Sequence, residues 1–152
     1  MIVTMPSGEK IELDGKRVQR VMPATPAIDP PGSNTRIEWA TKDFCVEMPE
    51  TVATEVNEER ALNTTKVQLP LAQLNLPDGI PFWFSGEDAQ GPEHLPDGFG
   101  GGEIQSQISM GKVVINVSNT PQEVQAVIKA TKGTVLPIRG NTTLKLNVKN
   151  LD

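Results

Sequence analysis

The stretch Leu76-Pro-Asp-Gly-Ile-Pro-Phe-Trp-Phe84 contains the densest aromatic cluster in the chain. Pro77-Asp78-Gly79 predicts a tight turn, because proline presets φ and glycine accepts the positive φ that many turns need. The aromatic residues after the turn favour a strand. Side chains alternate across a strand, so Phe82 and Phe84 must share one face and Trp83 must take the other.

Two arrangements of these aromatic side chains follow from the alternation. In the first, one face is core and the other points outward, and an outward Trp83 is a candidate interaction hot spot. In the second, all three aromatic side chains form a small core beneath the segment that follows them. The sequence leaves both arrangements open.

Other segments with alternating apolar residues predict further strands. Asp14-Gly15 is the strongest two-residue hairpin signal in the chain and predicts a meander at its start. The alternation between residues 67 and 76 changes phase at Leu71-Ala72, which indicates an edge or a bulge. The predicted strands are 2–5, 10–13, 17–22, a hairpin over 36–48, 67–76, 80–84, two within 104–118, and a hairpin of 134–138 with 143–148.

Two segments carry helix signals. Asn119-Thr120-Pro121 supplies cap residues and a proline for the first helical position, and Val124, Val127 and Ile128 share a helical face. Pro49–Leu62 also fits a helix, although its β-branched residues leave a strand as the alternative. The fold class predicted is mainly β: a single-domain antiparallel sandwich or partly open barrel over residues 1–152, with one or two short helices.

Two segments are predicted to lack strands. Residues 23–35 contain five residues that are Pro or Gly and predict an extended proline-rich arm or a long loop. Residues 85–103 contain six glycines and five acidic residues and predict a Gly-rich acidic loop. Long loops of this kind are usually functional, so we expect both to contact another surface.

The net charge of −5 disfavours a nucleic-acid or membrane partner. The chain has 152 residues, a single cysteine and no signal peptide or long apolar run, which predicts folding in the cytoplasm. Cys45 falls between Asp43 and Glu47, whose carboxylates disfavour a thiolate. We therefore expect an inert thiol there.

Residues 85–103 contain side chains that several kinds of functional site could use. Phe99-Gly100-Gly101-Gly102-Glu103 is a poor nucleotide loop, since it has no Lys or Arg and no helix follows it. Its acids could hold a hard cation, although they lack a recognised ligand spacing. His94, with Glu93 or Asp97, could act as an acid–base pair. Ser85 could be added to form a Ser–His–Asp triad, although no strand–turn–helix context supports it.

The sequence therefore predicts no enzyme, no cofactor and no metal. The favoured hypothesis is a structural or assembly protein that self-associates as a homo-oligomer or decorates a larger particle, such as a virion accessory subunit of a bacterial virus (a capsid decoration or tail protein). The alternatives are a cytosolic small-ligand module with its pocket under residues 85–103, and a metal-assisted hydrolase. The predicted interaction residues are Pro30, Pro31, Trp83, His94, Phe99, Gly100, Gly101 and Gly102.

Overall fold

The computed structural model describes residues 1–95 and 103–138, and the strands in this part of the chain form three sheets. The helices are α1 (Pro49–Ala61) and α2 (Pro121–Ala130). The strands are β1 (Ile2–Thr4), β2 (Lys10–Glu12), β3 (Arg20–Pro23), β4 (Thr35–Glu38), β5 (Lys42–Cys45), β6 (Ala72–Asn75), β7 (Pro81–Phe84), β8 (Gln90–Glu93), β9 (Ser106–Met110), β10 (Val113–Val117) and β11 (Thr134–Val135). The prediction of a mainly-β protein with two helices is confirmed.

Strand β7 lies inside a five-stranded sheet with the order β5-β4-β3-β7-β6. It pairs antiparallel with β3 on one side and β6 on the other. Phe82 and Phe84 are fully buried on one face, and their rings stack with centroids 5.4 Å apart. Trp83 is half-buried on the opposite face. The first of the two predicted arrangements is therefore the one adopted, although Trp83 is only partly outward.

The five-stranded sheet separates two apolar clusters. On the Phe82 and Phe84 face, it packs against α2 and the four-stranded sheet of order β10-β9-β8-β11. On the Trp83 face, it packs against α1 and the β1–β2 hairpin. Alternating residues of one strand feed the two clusters, since Val21 belongs to the second and Met22 to the first. This arrangement is a sandwich of two sheets with a helix and a hairpin over its outer face.

The two predicted helices are both present. In α1, the buried residues Val52, Ala53, Val56 and Arg60 lie on one side, which is the spacing that a helix places together. In α2, Thr120 accepts a hydrogen bond from the Glu123 N–H while the Glu123 carboxylate accepts one from the Thr120 N–H, which forms a capping box.

The predicted hairpin at Asp14-Gly15 is wrong. Asp14 caps a short 3₁₀ turn (Gly15–Arg17), and its carboxylate accepts from the Lys16 N–H. Strand β2 then pairs with β1, whereas β3 joins the five-stranded sheet. Asp-Gly suits a two-residue hairpin turn because both residues tolerate a positive φ. Here Asp14 has a φ of −92° and Gly15 has no positive φ, so the aspartate acts as a cap.

The phase change at Leu71-Ala72 marks the start of β6. Leu71 is buried in the cluster on the α1 side, whereas Ala72 and Leu74 are buried on the side of Phe82. The segment before Ala72 is not a strand, so the predicted strand over residues 67–76 is shortened to four residues. The phase of the alternation changes because the chain passes from one apolar cluster to the other at this point.

The prediction that residues 85–103 form a loop is wrong for its first part. Gln90–Glu93 forms β8, which lies between β9 and β11 in the four-stranded sheet. Two of the glycines allow close packing. A β-carbon at Gly86 would lie 1.9 Å from Thr131 Oγ1, and one at Gly91 would lie 3.0 Å from Ile108 Cγ2. Glycine at these two positions leaves room for neighbouring side chains, and its role there is not to make a loop flexible.

The end of the described chain also differs from the prediction. Thr134 and Val135 form β11, which pairs parallel with β8, so the sandwich is not wholly antiparallel. The predicted partner strand, residues 143–148, lies outside the described residues. Gly133 ends the α2 region as predicted, and its N–H donates to the Ile128 carbonyl.

A buried arginine ties α1 to the region between the two sheets. The Arg60 side chain is 1 % exposed, and its Nη2 lies 3.0 Å from Glu87 Oε1. Arg60 Nε donates to the Leu69 carbonyl at 2.8 Å, and Ser85 Oγ lies 3.2 Å from the same Glu87 oxygen. One guanidinium therefore fixes the C-terminal turn of α1, the segment before β6 and the turn before β8.

We expect Arg60→Ala to lower the free energy of unfolding by about 3 kcal/mol, because it leaves Glu87 and the Leu69 carbonyl without their charged partner. Glu87→Gln keeps an acceptor oxygen and should cost about 1 kcal/mol. Urea unfolding followed by circular dichroism measures both changes. Lys129→Ala, at an exposed position of α2, is the control; equal losses in Arg60→Ala and Lys129→Ala would contradict the assignment.

Candidate functional site: an apolar groove beside Trp83

An open groove of about 700 Å³ lies on the Trp83 face of the five-stranded sheet. It is bounded by the N-terminal turns of α1, the ends of the β3–β4 connection, and the start of β7. Its lining is mostly apolar and includes three prolines, one methionine, one isoleucine and one tryptophan. The lining residues are Pro23, Asn34, Met48, Pro49, Glu50, Thr51, Thr54, Ile80, Pro81 and Trp83.

Three side chains give the groove its apolar character. Met48 is 58 % exposed and Ile80 is 45 % exposed, so both present apolar surface to solvent. Trp83 is half-buried and packs partly against the cluster beneath α1. A tryptophan held in this way can contact a partner with little loss of side-chain entropy, because its orientation is already fixed.

Local sequence explains why these side chains stay exposed. Met48 is the N-cap residue of α1, and Pro49 occupies the first helical position. Ile80 follows the Pro77-Asp78-Gly79 turn, in which Gly79 has a φ of +86°. Both residues therefore sit at the boundary of an element, immediately before a proline, where the chain turns outward.

One carboxylate lies among the side chains that line the groove. Glu50 lines it together with Thr51 and Thr54 of α1. Glu58, one turn beyond Thr54, is exposed but does not line the groove. The groove therefore combines a mostly apolar surface with one negatively charged side chain.

The predicted proline-rich arm (residues 23–35) is a closed connection between β3 and β4. The Ala24 N–H donates to the Asn34 carbonyl at 3.0 Å, and Asp29 Oδ2 accepts from the Thr25 N–H at 2.7 Å. Pro23 and Asn34 line the groove, whereas Pro30 and Pro31 are exposed further out on the same connection. Of the two predicted alternatives, the segment fits the long loop and not the extended arm, because turns within the connection satisfy backbone groups locally.

The structure separates the predicted interaction residues into two places. Trp83 lies in the groove, near the ends of the segment that carries Pro30 and Pro31. His94 is exposed and lines a different cavity of about 170 Å³, with Pro92, Pro121 and Ile138. Phe99, Gly100, Gly101 and Gly102 lie outside the described residues.

Three of the four acids that the structure describes within residues 85–103 have structural partners. Glu87 pairs with Arg60, Asp88 accepts from Ser85 Oγ at 2.8 Å, and Glu93 accepts from Ser109 Oγ at 2.6 Å. Ser85 is fully buried, whereas His94 is exposed, so the two do not form a triad. Within residues 1–95 and 103–138, no three His, Cys, Asp or Glu side chains are grouped so as to hold a metal ion.

The sequence analysis does not single out Met48 and Ile80 as candidate site residues. It places Met48 in a predicted hairpin over 36–48 and Ile80 in a predicted strand over 80–84. The available signal was an apolar residue directly before a proline that begins an element. That signal indicates that each side chain is exposed, but the sequence does not show that Met48 and Ile80 line the same groove.

Cys45 points into the cluster beneath α1 and is fully buried. Burial raises the pKa of its thiol to about 12, and the negative charge of Glu47 acts in the same direction. Asp43 instead accepts from Trp39 Nε1 at 2.7 Å. The inert thiol predicted from the sequence therefore has burial as its main cause, with one of the two neighbouring carboxylates contributing.

Neither described helix is long and apolar enough to cross a membrane. No protein-family model, no curated protein and no solved structure matches the chain. The groove geometry is accordingly the basis for the function proposed below.

We expect folded protein at about pH 8 to react with a thiol reagent about 1000-fold more slowly than protein unfolded in guanidinium chloride, because a thiol with a pKa near 12 is almost wholly protonated there. A dithiobisnitrobenzoate time course measures the rate. Ile80→Cys, at an exposed position, provides the fast-reacting control. Rapid labelling of the folded wild type would contradict the burial of Cys45.

Proposed function

We propose that this protein is a non-enzymatic structural or assembly protein that docks onto other protein chains through the groove beside Trp83. The observation that carries the proposal is the grouping of exposed Met48 and Ile80 around a half-buried tryptophan. Interface hot spots have this composition, with an aromatic anchor surrounded by apolar contacts that exclude water.

The rigidity of the groove supports the same function. Pro23, Pro49 and Pro81 line it, and the ring of each fixes one backbone angle. A surface that is ordered before binding loses little conformational entropy on association. Glu50 adds one negative charge to this surface, which disfavours anionic partners.

The partner class that fits is another protein surface, either a second copy of this chain or a subunit of a larger particle such as a virion. Self-association has the simpler requirement, since it needs no second gene product. Closed symmetric oligomers are its usual outcome.

Met48→Asp separates docking from folding. Aspartate is a strong N-cap residue and methionine is not. We therefore expect the variant to have a free energy of unfolding about 1 kcal/mol higher than the wild type. It should also weaken association at least about tenfold, since it places a charge among apolar contacts. Ile80→Asp should weaken association without the gain in stability.

Sedimentation velocity over a concentration series measures the association, and urea unfolding measures the stability. Leu62→Asp, at a 76 % exposed position outside the groove, is the matched control and should associate like the wild type. If the Met48→Asp and Ile80→Asp variants associate as strongly as the wild type, docking through this groove is refuted. A wild type that stays monomeric throughout would refute self-association.

The volume of the groove favours a second candidate function. About 700 Å³ falls within the range of roughly 300–1000 Å³ typical of small-molecule sites. A cytosolic module that sequesters a small apolar ligand would therefore use this groove, and not a pocket under residues 85–103 as the sequence suggested.

Native mass spectrometry of gently purified protein, with a denatured control, tests this candidate. A retained ligand should appear as excess mass that is lost on denaturation, and Met48→Asp should abolish it because a charge replaces apolar contact. Native and denatured masses that agree, together with unchanged tryptophan emission on titration of apolar ligands, would count against a ligand module.

A further inference from the structure

We infer that strand β10 pairs with the β10 strand of a second copy of this chain, antiparallel and across a two-fold axis, so that one sheet continues through both molecules. β10 (Val113–Val117) is the outer strand of the sheet of order β10-β9-β8-β11 in the described part of the chain. This interface lies on a different sheet from the groove beside Trp83. It goes beyond the function proposed for the groove and does not depend on it.

Alternate residues of β10 direct their backbone groups away from the sheet. Met110 and Val113 flank the two-residue turn of the hairpin that joins β9 to β10. In such a hairpin the flanking pair is hydrogen-bonded, and hydrogen-bonded pairs recur at every second position. Val113 and Ile115 therefore bond to β9. The N–H and carbonyl groups of Val114 and Asn116 face away from it.

The end of β10 shows how an outward backbone group behaves where a partner is near. The Ser118 N–H has the same direction as those of Val114 and Asn116, since the three residues alternate along the chain. It donates to the Asn75 carbonyl of β6 at 2.9 Å. Val114 and Asn116 continue the same edge, but no strand lies beside them within residues 1–95 and 103–138.

The other outer strands of the two larger sheets are shorter, charged or bonded to a neighbour. β11 has two residues, and β5 contains Lys42 and Asp43. The backbone of Asn75 in β6 is bonded to both Ser118 and Asn119. β10 has five residues and neither a charge nor a proline. Proteins protect edge strands with charges, prolines or short length, so an edge without these features is suited to pairing with another strand.

The edge is complementary to itself. Antiparallel pairing centred on Ile115 places Val114 opposite Asn116 of the second copy, and Asn116 opposite Val114. Because these two residues carry the outward backbone groups, the register forms two hydrogen-bonded pairs. The exposed side chains of Val113 (41 %) and Val114 (57 %) then lie beside a second apolar strand. One surface serves as both partners, which is the requirement for a two-fold dimer.

Charge favours antiparallel over parallel pairing. Lys112, in the hairpin turn, is the only charged residue between positions 106 and 118. Glu103, just before β9, and Glu123, in the first turn of α2, are exposed at the other end of the hairpin. Antiparallel pairing brings the lysine of each copy to the acidic end of the other, whereas parallel pairing joins like charges. Asp88 lines a cavity with Gly111 on the β8 side of β9, away from this edge.

The first experiment uses the Met48→Asp background, in which association through the groove is weakened. Sedimentation velocity over a concentration series should still detect a dimer. Val114→Lys/Asn116→Lys should weaken this dimer at least about tenfold, because each lysine faces a lysine of the second copy. Val114→Lys/Asn116→Glu should restore it, because each lysine then faces a glutamate.

Leu62→Lys/Val67→Lys is the control, since it adds the same charge at positions that are 76 % and 86 % exposed and lie outside both surfaces. It should associate like the Met48→Asp parent. A parent that is monomeric at every concentration would overturn the inference, and so would a dimer that persists in the Lys/Lys variant. Failure of the Lys/Glu variant to restore the dimer would overturn the antiparallel register, because in a parallel pair like charges would still face each other.

The second experiment leaves β10 unsubstituted and measures amide hydrogen exchange by NMR in the Met48→Asp protein. The amides of Val114 and Asn116 should exchange at least about tenfold more slowly at a concentration where the dimer is present than in dilute protein. Those of Val113 and Ile115 should be protected at both concentrations, since they donate within the hairpin. Slow exchange of Val114 and Asn116 even in dilute protein would mean that the chain itself covers the edge. Fast exchange at both concentrations would mean that nothing pairs with it. Either result would overturn the inference.

The two experiments separate failure of this inference from failure of the proposed function. If Met48→Asp weakens association and the remaining association is insensitive to the β10 variants, the groove is a docking surface and the β10 pairing is refuted. If the β10 variants behave as expected while Met48→Asp associates as strongly as the wild type, the β10 pairing stands and docking through the groove is refuted.

Discussion

The two-residue periodicity of strand β7 is the constraint on which the rest of the structure depends. β7 lies between β3 and β6 in the five-stranded sheet, and its aromatic side chains alternate between the two faces, so both faces carry apolar surface that must be covered. Phe82 and Phe84 supply the anchor for the four-stranded sheet and α2, and Trp83 supplies contact for the layer beneath α1. A shift of one residue in register would exchange these faces and leave two phenylalanines against the helix layer.

The groove lies where helix α1, which covers the Trp83 face of the five-stranded sheet, begins. Helix α1 covers the sheet only from Pro49 onward, so Met48 and the Pro81 end of β7 extend past the covered region. Trp83 is consequently packed on one side and open on the other. Arg60 holds the opposite end of α1 through Glu87 and the Leu69 carbonyl.

The glycines and prolines show why composition alone misplaced two segments. Six glycines predicted a free loop over residues 85–103, yet Gly86 and Gly91 are needed where Thr131 and Ile108 approach the backbone. Five Pro or Gly residues predicted an extended arm over residues 23–35, yet its backbone is closed by the Ala24–Asn34 hydrogen bond. In both segments, the same residue types suit a flexible chain and a tightly packed one, and long-range contacts decide between them.

The sequence by itself determined the mainly-β class, the helix that begins at Pro121, and the opposite faces of Phe82 and Trp83. These features depend on local periodicity and on capping residues, which lie within a few positions of one another. Only the tertiary structure decided that Pro49–Ala61 is a helix, that Gln90–Glu93 pairs as a strand, that Cys45 is buried, and that Met48, Ile80 and Trp83 share one surface. Those outcomes depend on contacts between residues more than a dozen positions apart, which no local pattern specifies.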